Sequence, residues 1–137
     1  RRIVKTLTGK LYRSTSGQLR NQIAQQLGEL APAIAERPDR LSMLAGDIER
    51  LRGMADVTKY LEDQFEDVTN WGVEQNWTMT QVLLVQMNIV ADLATQHPDD
   101  TGGSRLNDSK RAYNDGRREV LQYVARRLRY SEFFPGN

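Results

Sequence analysis

Apolar residues in the N-terminal half recur every three or four positions. Ile23, Leu27, Leu30, Ile34, Leu41, Leu44, Ile48, Leu51 and Ala55 form one line, interrupted where Arg37 occupies a seam position. Positions spaced this way share one side of a helix, and that side buries against a second helix or a coiled-coil partner. Pro32 and Pro38 break up a continuous rod, because proline lacks an N–H and its ring clashes with the preceding turn. Pro38-Asp39 is the stronger break, and Asp39 is placed to cap a helix starting near Arg40. The pattern predicts one helix over 18–36 and a second over 40–69, with Pro32 in a first turn or at a kink. A seam this long exceeds the apolar surface left to cover it. Contacts with further copies of the chain, or with a larger partner, are expected from it.

The second helix continues on Val57, Leu61, Phe65 and Val68 along one side, with Tyr60 beside them. Glu62, Asp63, Glu66 and Asp67 crowd another side, where like charges four apart repel by a few tenths of a kcal/mol. Trp71-Gly72 through Trp77 marks a turn. Thr78 and Gln81 then match a capping box, with Trp77 and Val82 placed as a hydrophobic staple. A third helix to about Gln96 carries Met79, Val82, Leu83, Leu84, Val85, Met87, Ile89, Val90 and Leu93. Apolar character on several sides predicts deep burial. His97-Pro98 ends it, and residues 98–107 read as a loop.

Asp108 and Ser109 are cap candidates for the last helix, which runs to Tyr130. Tyr113, Val120, Val124 and Leu128 form its stripe, with Arg117 on the same line and Leu121 and Tyr123 widening it. Gly116 predicts either a closely approaching neighbouring backbone or a local break. Leu83, Val90, Leu93, Val120, Val124 and Leu128 are expected to meet between the last two helices. Arg117 is expected to be partly buried and paired with one of Glu62, Asp63, Glu66, Asp67 or Asp92. The adjacent Phe133 and Phe134 are expected to dock on a helix or another chain.

Gly116-Arg117-Arg118-Glu119-Val120, followed by Tyr123-Val124-Ala125 and Leu128, resembles the end of a small phage domain family, the Bbp-nineteen-like phage domain. Val82-Leu83 and Val90-Ala91-Asp92-Leu93-Ala94 are similar to that family's preceding helix. The resemblance covers about residues 80–134. It implies a helical protein encoded among the virion-module genes of short-tailed phages, and it brings no enzymatic residues with it.

Charge is distributed by region along the 137 residues, although the net is only +1. Residues 1–28 hold six basic side chains and no acid, and residues 56–100 hold one lysine against nine acids. Residues 101–137 return to eight basic against four acidic. The ends and the middle therefore suit different surfaces. Arg1, Arg2, Lys5, Lys10 and Arg13 on a basic N-terminal arm, with Arg118, Arg126 and Arg127, are the candidate contacts to nucleic acid or a charged partner. Glu62, Asp63, Glu66 and Asp67 are the candidate acidic partner face.

No cysteine is present, which excludes a disulfide framework and thiolate chemistry. No apolar run is long enough to span a membrane. The one histidine, His97, has Ala94 rather than Glu three residues before it, so the Glu-x-x-His pair of a di-metal bundle is missing. Gly102-Gly103 is followed by Ser and lacks the lysine of a phosphate loop. No catalytic, cofactor-binding or metal-ligating set is expected, and no enzyme.

The expected fold is all-α: an elongated helical bundle with a long heptad-like N-terminal region and a C-terminal antiparallel helix pair. Its expected parts are a basic arm over 1–17, an extended helical region over 18–76 and a helical hairpin over 77–137. The expected role is a bacteriophage virion structural or interaction protein. It would act as repeated copies in a symmetric assembly, as a head, connector or internal ejection component, with other virion proteins as partners. Its location would be the virion, and the host cytoplasm during assembly. The alternative is a DNA-binding packaging component, such as a small terminase-like or internal DNA-associated protein.

Overall fold

The structure is a computed structural model describing residues 2–40, 44–96 and 105–135, with side chains described from Arg13 onward except at 14, 40 and 105–107. The chain is all-α. Among the described residues four helices follow one another: α1 (Arg2–Glu36), α2 (Ala45–Glu74), α3 (Met79–Thr95) and α4 (Arg105–Arg129), with a 3-10 turn at Pro38–Arg40. Among the described residues there is no strand.

α1 is longer than its sequence suggested. It runs unbroken through the stretch expected as an arm, despite Thr-Gly and Ser-Thr-Ser. Tertiary packing overrides that weak local preference: Thr15 and Leu19 are buried and line the bundle interior with Leu61, Phe65, Val124 and Leu128. Pro32 lies inside the same helix. Gly28, whose carbonyl lacks an N–H partner at Pro32, is exposed, so water can serve that carbonyl.

Asp39 does not cap α2. It accepts from Arg37 at 3.2 Å, and α2 starts later, at Ala45. At its other end α2 passes through Trp71-Gly72 before the chain turns. Asn76 takes the left-handed conformation, φ 59°. Asn76 N–H donates to Val73 and Trp77 N–H donates to Gly72, the paired bonds of a Schellman closure. Trp77 packs edge-on against Trp71 with ring centroids 4.9 Å apart, which supplies the apolar contact such closures use.

Trp77 also stands directly before the Thr78 cap of α3. The Thr78 hydroxyl accepts from Gln81 N–H at 3.2 Å, and the Gln81 amide oxygen accepts from Thr78 N–H at 2.8 Å. One tryptophan thus finishes one helix and starts the next. Thr78→Ala is expected to cost about 1 kcal/mol of stability in a denaturant titration, the usual value of a lost cap.

The helices alternate in direction. Arg20 meets Glu62 across α1 and α2, and Thr80 at the start of α3 meets Phe133 beyond the end of α4. α2 and α4 therefore run parallel, and they form the most extensive helix contact of the bundle. They touch through backbone. A Cβ on Gly53 would stand 2.0 Å from the Tyr113 carbonyl oxygen, and one on Gly116 would stand 1.9 Å from that of Arg50. Each glycine admits the carbonyl three residues before the other, so the crossing is reciprocal. Gly116 fits the first of its two sequence readings, a close backbone approach, and α4 does not break there.

Beyond the crossing, the two helices keep step. Leu61 and Phe65 of α2 line the same interior space as Val124 and Leu128 of α4. All six residues expected to meet between α3 and α4 are buried in one cluster, together with Leu51, Met54, Val57, Leu61 and Phe65 of α2 and Leu19 and Ile23 of α1. The core thus joins all four helices rather than closing within a C-terminal hairpin, and no packing boundary falls at 17/18 or 76/77. Phe133 and Phe134 pack on this cluster, and the Thr80 hydroxyl donates to the Phe133 carbonyl at 2.8 Å.

α4 begins at Arg105, so Asp108 and Ser109 lie inside it rather than capping it. His97 and most of the expected 98–107 loop lie outside the described residues.

Candidate interaction surface

The four acidic candidates do not share one face. Glu62 turns inward and is 9% exposed, whereas Asp63, Glu66 and Asp67 are exposed. Position 62 falls on the side of α2 that meets α1, and there Arg20 donates to Glu62 Oε2. Glu62 Oε1 is buried without a hydrogen-bond partner among the described residues. Glu62 borders a mostly apolar pocket inside the bundle, of about 20 Å³, whose lining also includes Thr15, Thr58, Gln86 and Arg127. The Thr58 hydroxyl is committed elsewhere, donating to the Met54 carbonyl at 2.7 Å.

The basic candidates divide as well. Arg13, Arg118 and Arg126 are exposed, and Arg118 pairs with Asp115 at 3.1 Å on its own helix. Arg127 is half-buried and lines the inner pocket beside Glu62, so it is not the outward contact its sequence position suggested. The side chains of Arg1, Arg2, Lys5 and Lys10 lie outside the described residues, although α1 carries the last three. Arg13 stands near the α4 end, because Thr15 and Ser16 share a pocket with Arg127 and Leu128.

Arg117 is buried, as its place on the α4 stripe predicts, but its described partner is not a carboxylate. The guanidinium reaches the Gln96 carbonyl at 3.4 Å, at the C-terminal end of α3. A cation there meets the negative end of the helix dipole and an orphan carbonyl. Arg117→Ala is expected to cost about 1–2 kcal/mol, largely through its stem and this bond. Arg126→Ala is expected to cost under ~0.5 kcal/mol. Chemical denaturation of the two variants checks the contrast, and equal losses would contradict it.

Two polar links flank the glycine crossing. Arg50 donates to Glu119 at 2.7 Å on one side, and Tyr113 donates to Asp56 at 2.6 Å on the other. Neither was visible in the sequence, because both join residues far apart in the chain. Burial raises the Tyr113 phenol above its ordinary value, and the Asp56 carboxylate raises it further by accepting its proton in a hydrogen bond and by repelling the phenolate. A pKa raised by folding gives stability that is whole below the ordinary phenol value and is lost as pH rises through the raised one. Asp56→Asn is expected to bring the phenolate absorbance transition of Tyr113 back toward the ordinary range.

The expected seam is covered only in part. Ile23 and Leu51 are buried, Leu30, Ile34, Leu44 and Ile48 are half-buried, and Leu27 is 47% exposed. A groove of about 270 Å³ opens between α1 and α2, lined by Ile23, Ala24, Leu27, Ala55 and Lys59 among others. Leu41 lies outside the described residues.

Among the described residues, no three His, Asp or Glu side chains are placed to hold a metal, and no helix is long and apolar enough to cross a membrane. The molecule belongs to the class of four-helix, up-down-up-down bundles. Comparison with protein-family models, characterised proteins and solved structures finds no match to the chain.

Proposed function

We propose that this chain is a structural and interaction component of a bacteriophage virion, working as repeated copies in a symmetric assembly. The observation that carries the reading is the incomplete cover of the α1–α2 seam. Leu27 of α1 is exposed, and Leu30 and Ile34 of α1 with Leu44 and Ile48 at the start of α2 are half-buried. Burying these residues against a neighbour stabilises an assembly by about 25 cal/mol per Å² of apolar surface covered. The resemblance of Gly116 to Val120 and the residues after it to the phage domain supplies the virion setting. The reading includes other virion proteins as partners, and residence in the host cytoplasm before assembly.

Light scattering of the pure full chain at tens of micromolar tests the self-association. A discrete oligomer is expected, with Leu27→Glu shifting it toward monomer. A wild-type monomer under all conditions would overturn the reading. The packaging alternative rests on Arg13 and Arg126, exposed toward one end of the bundle. It would be favoured instead by a monomer that stays on a DNA column at ~0.15 M salt.

A further inference from the structure

α2 carries an outer stripe that no other helix covers. Tyr60, Asp63, Asp67, Trp71 and Glu74 follow at spacings of three and four and are all exposed, so they share one side. Tyr60 is 46% and Trp71 54% exposed, a large aromatic area for an ordinary helix surface and the composition of an interface centre. The described ion pairs involve none of Asp63, Asp67 and Glu74. Asp63 and Asp67 are one helical turn apart and repel each other.

α4 carries the complementary stripe. Arg111, Arg118, Gln122, Arg126 and Arg129 are exposed at the same helical spacing. Arg111 and Arg118 make exposed pairs with Asp108 and Asp115, at 4.0 and 3.1 Å on the same helix. Pairs of this kind hold their partners weakly and exchange readily. α2 and α4 bury their inner sides in the common core and touch at Gly53 and Gly116. Both outer stripes lie outside the common core, so each is open to a second copy.

We infer that the occupant of the α2 stripe is the α4 stripe of a second copy. The inference rests on the reading of the chain as a self-assembling component and adds a second contact to the one along the α1–α2 seam. Arginines of one copy lie against Asp63, Asp67 and Glu74 of the next. Others stack on Tyr60 and Trp71, as Arg52 already does on Tyr113 within the chain, 5.5 Å from the ring centre. The two faces differ, so the contact is heterologous: each copy keeps one face free and adds the next, closing a ring or extending a filament according to the rotation per step.

A charge swap tests this on the full chain. One variant carries Asp63→Arg with Asp67→Arg, and the other Arg118→Glu with Arg126→Glu. All four positions are exposed, and circular dichroism checks that each variant keeps its helix content. Each variant alone sets like charge against like and is expected to self-associate at least about tenfold more weakly than wild type. An equimolar mixture is expected to recover association, because the reversed faces match each other. Trp71→Ala, which leaves charge unchanged, is expected to weaken association without removing its salt dependence.

Wild type that associates while both swaps associate equally well would overturn the inference and leave the assembly reading standing. A wild-type monomer at low salt would overturn both. Binding of duplex DNA by a monomer, lost on Arg118→Glu with Arg126→Glu, would assign the α4 stripe to a nucleic acid and overturn the inference.

Discussion

Gly116→Ala is expected to destabilise the protein by about 3 kcal/mol, although glycine-to-alanine in a free helix stabilises by roughly 1 kcal/mol. The new methyl would lie 1.9 Å from the Arg50 carbonyl oxygen, and its next neighbours are also backbone atoms of Arg50. No side chain can rotate out of the way, so α2 and α4 must separate. Separation loosens the packing that continues to Leu61, Phe65, Val124 and Leu128. Close Cα–H···O contacts at the crossing are lost with it. Gly53→Ala is expected to behave alike, with the Tyr113 carbonyl 2.0 Å away. Gly28 in α1 is the control of opposite sign. Nothing lies within 4 Å of a Cβ there, and alanine is expected to stabilise by up to ~1 kcal/mol. Urea denaturation of the three variants checks the signs, and a neutral Gly116→Ala would mean that the helices are not in backbone contact.

Leu83→Ala is expected to cost about 2–5 kcal/mol, while Leu84→Ala next to it costs under ~1 kcal/mol. Leu83 is 0% exposed inside the core and Leu84 is 41% exposed. Residue type and helix are the same, so burial alone separates them. A cavity at Leu83 strips contacts from the surrounding core, which cannot fully collapse into it. Thermal unfolding of both variants should show one large and one small fall in midpoint. Equal falls would mean that α3 is rotated about its axis.

That pair also shows where the sequence was legible and where it was not. The run Val82-Leu83-Leu84-Val85 announced a buried helix but could not say which side faces inward, since apolar residues occupy every side. Local signals were readable when local chemistry governs them. The Thr78–Gln81 box and the Pro38 break appear where hydroxyl spacing and a missing N–H put them. The α4 stripe was readable too, because Val120, Val124 and Leu128 have no competing period.

What escaped was set by packing at a distance. The start of α1 reads as turns, yet it is helical because Thr15 and Leu19 have a core to enter. Glu62 looked like one of a row of surface acids, but its position on the helix aims it at Arg20. Arg117 was placed correctly by its spacing and wrongly by its charge. Its described partner is a helix-end carbonyl, which leaves no mark in a list of side chains. Gly116 gave notice of a close neighbour without saying that Arg50 would supply it.

The parallel course of α2 and α4 has a consequence for the order in which the molecule forms. Parallel helices cannot be joined by a tight turn, so α3 must be laid down before the glycines can meet. During synthesis α1 and α2 can pair early through their short connection, while the Gly53 side of α2 stays bare. Closure waits for the last helix to emerge and is the least local step of the whole process. Up to that moment a nascent chain presents a smooth notch with a carbonyl on its rim, which another molecule's α4 could occupy as well as its own.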